Sequence, residues 1–308
     1  MKKIKAILLF SGGLDSILAG EILKREKIEL MALNFESVFF CSKNAKKSAR
    51  ELKIPIRILD ITKDLLNLIK KGPKYGFGSQ MNPCIDCHIL MLKKAKKIMK
   101  KEKFDFVATG EVLGQRPFSQ NKKALEIIEK EAGLKGLLLR PLSAKLLKKT
   151  LPEKRGWVKR ENLFNIFGRS RKRQIELAKK FKIKWYPTPA GGCLLTDPQF
   201  SERLKGLMNL KKNFDINDIE LLKVGRHFIF DKVKIVVGRN EKENLKIKKL
   251  AKKSDVLIEI KNYPGPTILI RNYKRGKIKK EIIEKAKEFS QKYSKKAKNK
   301  ENLEFKIF

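Results

Sequence analysis

Through the first 110 or so residues, short apolar runs alternate with amphipathic stretches, and few architectures accept that alternation. Residues 3–10, 30–35, 54–61 and 104–109 read as buried strands, with 137–142 as one more. Between them, segments such as 14–23 and 45–52 carry apolar residues at three- and four-residue spacing, the period of a helix with one buried face. A strand that is apolar along its whole length must be covered on both faces, and helices between successive strands supply that cover. The expected first domain is therefore α/β, a doubly wound parallel sheet.

The turn after the first strand carries the first chemical signal. Ser11-Gly-Gly-Leu-Asp-Ser16 follows the strand directly and opens the first helix. Glycines let the backbone turn tightly and approach an anion with no Cβ in the way. The helix start then offers free N–H groups and a positive dipole end. Ser11 and Ser16 add hydroxyls, and Asp15 is placed to help hold Mg2+. The Gly-Lys-Ser/Thr ending of a Walker A motif is missing. The plain alternative is that Ser and Asp only cap the helix.

The cysteines carry the second. Asn82-Pro-Cys84-Ile-Asp-Cys87 precedes a basic helix, and Cys193 closes the Pro- and Gly-rich passage Tyr186-Pro-Thr-Pro-Ala-Gly-Gly-Cys193, which reads as an ordered loop. Four cysteines are too few for a disulfide framework, which favours a reducing, cytoplasmic setting. Three thiolates, Cys84, Cys87 and Cys193, suit a [4Fe–4S] cluster with one iron left open. The same residues suit a persulfide on Cys193 that Cys84 resolves as a disulfide. Zinc with His88 as fourth ligand, and three ordinary buried thiols, are the remaining readings. Cys41 reads as a small core residue.

Lys plus Arg number 74 against 33 Asp plus Glu, a formal net charge of +41. Such a chain attracts phosphate-bearing molecules and excludes an acidic chaperone. A Lys- and Ile-rich composition also arises from an AT-rich genome or a hot habitat. Disorder is excluded by the 42% of hydrophobic residues in strand and helix periods. No apolar run reaches the roughly 18 residues of a membrane span, and the apolar start breaks off at Ser-Gly-Gly, so neither membrane insertion nor secretion is expected. Residues 140–184 are strongly basic, with Glu153, Glu161 and Glu176 as the acids. A boundary is expected across 198–222. Beyond it lie a hairpin (226–230 and 233–237), strands at 256–260 and 267–271, a Lys-rich helix from 278 to 293, and a last strand at 303–307. The domains are set at 1–200 and 201–308, the second a smaller α+β unit.

Phe10-Ser-Gly-Gly-Leu-Asp-Ser16 resembles the PP-loop of the ATP pyrophosphatases, whose fold is HUP-like. Thr109-Gly-Glu-Val-Leu-Gly-Gln115 resembles a segment of the tRNA 4-thiouridine synthetases, and Asn-Pro-Cys-x-x-Cys one of the tRNA 2-thiouridylases. Gly168-Arg-Ser-Arg-Lys-Arg-Gln174 and the Cys193 loop are similar to a branch of that superfamily without a THUMP domain. Residues 220–308, with Val237-Gly-Arg-Asn240 and Pro264-Gly-Pro266, resemble the RNA-binding domain of the NFACT family. The resemblance implies ATP held by Ser11, Gly12, Gly13, Asp15, Ser16 and Gly110, with Mg2+ on the leaving pyrophosphate. It implies adenylation of a uridine carbonyl oxygen of tRNA, then displacement of AMP by sulfur, with Asp15, Cys84 and Cys193 as the catalytic residues. Glu111 and Gln115 would orient the base, or else simply pack or cap. Arg169, Arg171, Lys172, Arg173 and Arg239 are the RNA-contacting candidates. A sulfur donor, sulfide or a cysteine desulfurase, is required, and oligomeric state, a homodimer included, is left open. The rival readings are sulfur insertion into a small molecule and a non-catalytic RNA-binding sensor of nucleotide or iron–sulfur status.

Overall fold

Each apolar run of the first half contains a strand; the second strand extends one residue beyond the expected run at each end, and the others are shorter than theirs. In the computed structural model these are β1 (Lys5–Leu9), β2 (Glu29–Glu36), β3 (Ile56–Asp60), β4 (Phe106–Thr109) and β5 (Leu138–Leu139). The structure describes residues 3–188, 192–274 and 276–308 and divides into two compact units, Met1–Thr196 and Asp197–Phe308. The helices of the first unit are α1 (Leu14–Arg25), α2 (Lys43–Glu51), α3 (Thr62–Lys71), α4 (Cys84–Lys101), α5 (Lys122–Glu131), α6 (Leu151–Lys154) and α7 (Lys172–Lys180).

The five strands pair in the order β3-β2-β1-β4-β5, and each pair is parallel. Successive side chains point to opposite faces, so the two faces nucleate separate cores. Ala6 and Leu8 of β1 pack with Leu14, Leu18 and Ile22 of α1 and Ala45 of α2. Ile7, between them, packs on the other face with Ile89 and Leu92 of α4 and Ile128 of α5. This is the doubly wound α/β sheet expected from the alternation. β3 differs from expectation in being half-buried along its length, because it is an edge strand. The run at 137–142 pairs only at Leu138 and Leu139; Pro141 has no N–H with which to continue the ladder.

The second unit contains α8 (Pro198–Leu210), α9 (Ile216–Leu222), β6 (Arg226–Phe230), β7 (Val233–Val237), α10 (Glu241–Leu250), β8 (Val256–Ile260), β9 (Ile268–Asn272), α11 (Lys280–Lys292) and β10 (Phe305–Ile307). Its antiparallel sheet runs β10-β8-β9-β7-β6. Ile235, Val237, Ile268 and Ile270 face Ala286 and Phe289 of α11. Val236 and Leu269 face Leu221 of α9 and Ile247 of α10. Residues 198–222 thus form the first two helices of this unit. On the same face Arg271 donates to Asp255 (2.7 Å) and Asp218 (2.8 Å), a buried ion cluster between β9 and α9. Its sheet neighbour Lys234 is also buried, with its ammonium unpartnered among the described residues. Among the described residues no helix is long and apolar enough to cross a membrane.

Candidate active site at the carboxyl edge of the parallel sheet

From β1 the chain leaves to α1 on one face, and from β4 it leaves to α5 on the other. Adjacent strands whose connections part in this way open a crevice beyond their carboxyl ends, the usual ligand site of such sheets. The Ser11–Ser16 turn leaves β1 at that point, and Gly110 leaves β4 beside it.

Close backbone approach explains both glycines. Gly12 has φ +76°, and a Cβ there would stand 2.5 Å from the backbone of Asn44 and Ala45. A Cβ on Gly110 would stand 2.6 Å from the Asp15 carbonyl. Gly110 is thus packed against the start of α1. Gly13, in extended conformation, is the N-cap of α1. Ser16 donates to the Gly13 carbonyl (2.9 Å) and lies 3.4 Å from the hydroxyl of exposed Ser11. Ser48 of α2 donates to the Gly12 carbonyl at 2.9 Å, fixing the turn from behind.

Asp15 is the charged group of this turn. Its Oδ2 accepts from Gln115 Nε2 at 2.9 Å, and the Arg171 guanidinium lies 3.8 Å away. Its Oδ1 is buried without a hydrogen-bond partner among the described residues. Burial raises the carboxyl above its ordinary range, while Gln115, Arg171, Gln174 and Arg116 pull it back. The Gln174 side chain, on α7, is fully buried and its amide stops short of a well-formed bond. An orphaned carboxylate oxygen beside a helix start and several cationic or amide groups is the donor set that a magnesium–phosphate pair would complete.

The cysteines gather at the same edge. α4 leads into β4, so its first residue, Cys84, lies at the carboxyl edge; His88, one turn further, meets Glu111 just beyond β4 at 2.8 Å. Cys193 is drawn there too, since the Leu194 N–H donates to the Phe39 carbonyl beyond β2 (2.9 Å). Burial pushes the Cys87 thiol well up, and the charges of Cys193 and Cys84 push it further. Burial likewise raises Cys193 to about 11, against the pull of the Leu195 N–H and Arg116. Asn82 Nδ2 donates to Cys84 Sγ at 3.2 Å. Cys84, Cys87 and Cys193 are free thiols, half-buried, and Cys84 and Cys193 lie close enough to Cys87 to raise its thiol. Among the described residues no three His, Cys, Asp or Glu side chains are drawn tightly enough to chelate a single metal ion. Pro189, Ala190 and Gly191, the centre of the expected ordered loop, lie outside the described residues.

Several expectations are corrected. Cys41 is exposed, not core, because the Ser37–Phe40 bridge turns the chain outward after buried Phe39. Glu111 is buried and cannot orient a base: it accepts from Arg140 (2.9 Å) and Thr109 (3.0 Å) and pairs with His88. Burial would raise its carboxyl, but Arg140 and His88 hold it down at about 2. His88 is thereby a structural residue. Gln115 is occupied with Asp15. The RNA-contacting candidates are not contradicted: Arg169, Lys172, Arg173 and Arg239 are exposed, Arg173 donating to Asn165 (2.8 Å) and Arg239 to Glu243 (3.0 Å), while Arg171 turns toward Asp15. Sequence reading missed Arg116, which acts on both Asp15 and Cys193, and Gln174. Their only signal was position, immediately after Gln115 and at the end of the Gly168–Gln174 motif.

Residues 2–149 match the family model described as Thiamine biosynthesis protein (ThiI), and residues 225–308 match that of the NFACT protein RNA binding domain. The first segment is ThiI-like, the last NFACT-like. Both family resemblances drawn from the motifs are borne out. The chain is 33% identical over 134 residues to a tRNA-specific 2-thiouridylase MnmA of Karelsulcia muelleri (strain GWSS), covering 40% of this chain and 35% of that protein. It is 30% identical over 151 residues to a probable tRNA sulfurtransferase of Halothermothrix orenii, covering 45% of this chain and 35% of that one. The chain thus spans about a third of the length of these relatives. A crystal structure of a 4-thiouridine synthetase–RNA complex with bound ATP overlaps 71% of this chain and 52% of its own at 22% identity and a TM-score of 0.41.

Proposed function

We propose that the protein is an ATP-dependent tRNA sulfurtransferase. One observation carries the reading: the Ser11–Ser16 turn, with its unpartnered Asp15 oxygen, and a group of three cysteines share one sheet edge. A nucleotide site alone, or a thiol group alone, would support many activities. Their juxtaposition suits a reaction in which phosphorus activates an oxygen that sulfur then replaces.

In this mechanism the start of α1, with Ser11, Gly12, Gly13 and Ser16, receives the ATP phosphates. Asp15 would hold Mg2+ through its unpartnered oxygen, and the ion would offset charge on the departing pyrophosphate. A uridine carbonyl oxygen attacks the α-phosphorus, because as a carbonyl it cannot leave. Sulfur then adds to the carbon and AMP departs. Cys84, Cys87 and Cys193 handle that sulfur. They would hold a [4Fe–4S] cluster by three thiolates, and such a group supplies an open iron for sulfide. In the persulfide route the outer sulfur of a Cys193 persulfide bonds to the carbon as AMP leaves; Cys84 then attacks the Cys193 sulfur, releases the thiouridine, and leaves a disulfide for an external thiol to reduce. The cluster route takes sulfide as its donor, the persulfide route takes sulfane sulfur from a cysteine desulfurase, and the setting is cytoplasmic.

Mass spectrometry of tRNA nucleosides from a deletion strain tests the reading. One thiouridine is expected to disappear and to return with the wild-type gene but not with Cys193→Ser. Unchanged thionucleosides would refute it. Iron content after anaerobic purification separates the two sulfur routes.

A further inference from the structure

The faces of α4 differ in kind. Ile85, Ile89, Leu92, Ala95 and Met99 are buried, at helical spacing, against the sheet. On the outer side Lys93, Lys96 and Lys97 line a recess of about 440 Å3 whose other walls include Asp64 of α3, Glu131 of α5 and Gly133. Gly133, at φ +64°, ends α5 and makes room: a Cβ there would lie 2.3 Å from the Lys96 ammonium. The two acids of the recess already have cations, Asp64 with Lys94 (2.9 Å) and Glu131 with Lys74 (2.8 Å). Lys93, Lys96 and Lys97 form no ion pair among the described residues.

This separates them from most of the arginines that the motifs singled out, since Arg171, Arg173 and Arg239 bond to their own chain. Three ammonium groups on one helical face, around a recess whose two acids already pair with other lysines, present an excess of positive charge, although Lys93 also lies in the field of Glu131. We infer that the lysine face of α4 is a docking track for the phosphate backbone of RNA. The inference rests on the tRNA reading above and adds where the body of the substrate lies. Lys93 and Lys97 stand roughly 14 and 20 Å along the helix axis from Cys84. Phosphates held there would leave the intervening nucleotides to extend toward the cysteines at the start of the same helix.

The test uses the full chain and an unmodified tRNA transcript, with affinity measured by anisotropy across a KCl series. The triple variant K93Q/K96Q/K97Q is expected to bind about tenfold more weakly near 0.1 M salt, with a log–log salt slope shallower by about two. Its ATP affinity should be unchanged. The triple Lys→Arg variant, which keeps the charge, should bind like wild type; its failure to do so would overturn a purely phosphate track. Wild-type affinity and slope in the Gln variant would overturn the track while leaving thiolation standing. A wild-type chain with no measurable tRNA affinity would overturn both.

Discussion

At Gly12 and Gly110 the neighbouring backbone passes so close that an added methyl must displace main chain, which yields far less than a side chain does. Gly12 has the further cost of a left-handed φ, about 1–2 kcal/mol for an L-residue. Gly12→Ala should therefore lower Tm and weaken ATP binding by tenfold or more, roughly 1.4 kcal/mol; Gly13→Ala, whose Cβ would meet only Ser11 Oγ at 3.4 Å, should do much less. Calorimetric titration of both variants checks the contrast, and equal losses would put the effect elsewhere. The two residues read identically in sequence as loop glycines, since close approach depends on Asn44 and Ala45, which no local pattern places there. Lys234 is a second case. Burial pushes its ammonium down to about 7, with Asp218 opposing and Arg203 and Arg271 reinforcing the fall. An unfolded lysine keeps its proton to about 10.4, so between those values the unfolded state binds more protons and stability rises with pH. Lys234→Met should stabilise the fold by about 1–3 kcal/mol at neutral pH and below, with the gain shrinking as pH climbs toward 10. Urea denaturation at pH 6.5 and 9.5 measures the difference.

Between elements, the firmest tie at the candidate site is an ion network that no motif announced. Glu111 after β4 joins His88 of α4 and Arg140 after β5, and Arg140 also reaches Glu129 of α5 at 3.0 Å. With two cationic or polar partners the buried carboxylate is sustained; with Arg140 gone it is a buried charge short of its main counterion. Arg140→Met should cost about 3–5 kcal/mol, read by urea or thermal unfolding, and a cost under 1 kcal/mol would mean that His88 suffices. The pH dependence has the opposite sign to that of Lys234. Glu111 is held near about 2 when folded, so it contributes stability that is complete above about 4.3 and lost as pH falls toward 2. The Arg140 variant should show a flatter acid limb. The elements themselves were largely legible: strand-length apolar runs and the Ser11–Ser16 turn gave the parallel sheet, and the hairpin at Arg226–Phe230 and Val233–Val237 fell where alternation placed it. Edges were less so. β3 carries the same apolar signature as a central strand although it has one neighbour, because hydrophobicity reports burial by helices as well as by strands. The cysteines were visible by spacing; the roles of Arg116, next to one motif, and Gln174, at the end of another, were not, since their approach to Asp15 exists only in the folded chain.

For the molecule as a whole, the net charge of +41 poses a question that its folded parts help to answer. Many of the cations are paired: Arg140, Arg160 and Arg271 sit in bonds to acids, and Lys24 and Lys145 donate to backbone carbonyls. Charge used in this way would be present in a protein that never met a nucleic acid. Others, Lys93, Lys96 and Lys97 on the outer face of α4 among them, form no ion pair among the described residues, and each cation that meets a phosphate releases a counterion on binding. Salt dependence therefore distinguishes compositional excess from a working surface. If the chain engages tRNA through six or more phosphates, its affinity should fall by about a thousandfold or more between 50 and 200 mM salt. If the lysines are compositional, few contacts form and the fall should stay within about tenfold. Measuring binding of an unmodified transcript across that range gives the number of phosphates engaged. The share lost in the Lys93/Lys96/Lys97 variant then reports how much of it lies on the ThiI-like segment, and any remainder must come from other cations, the NFACT-like segment among them.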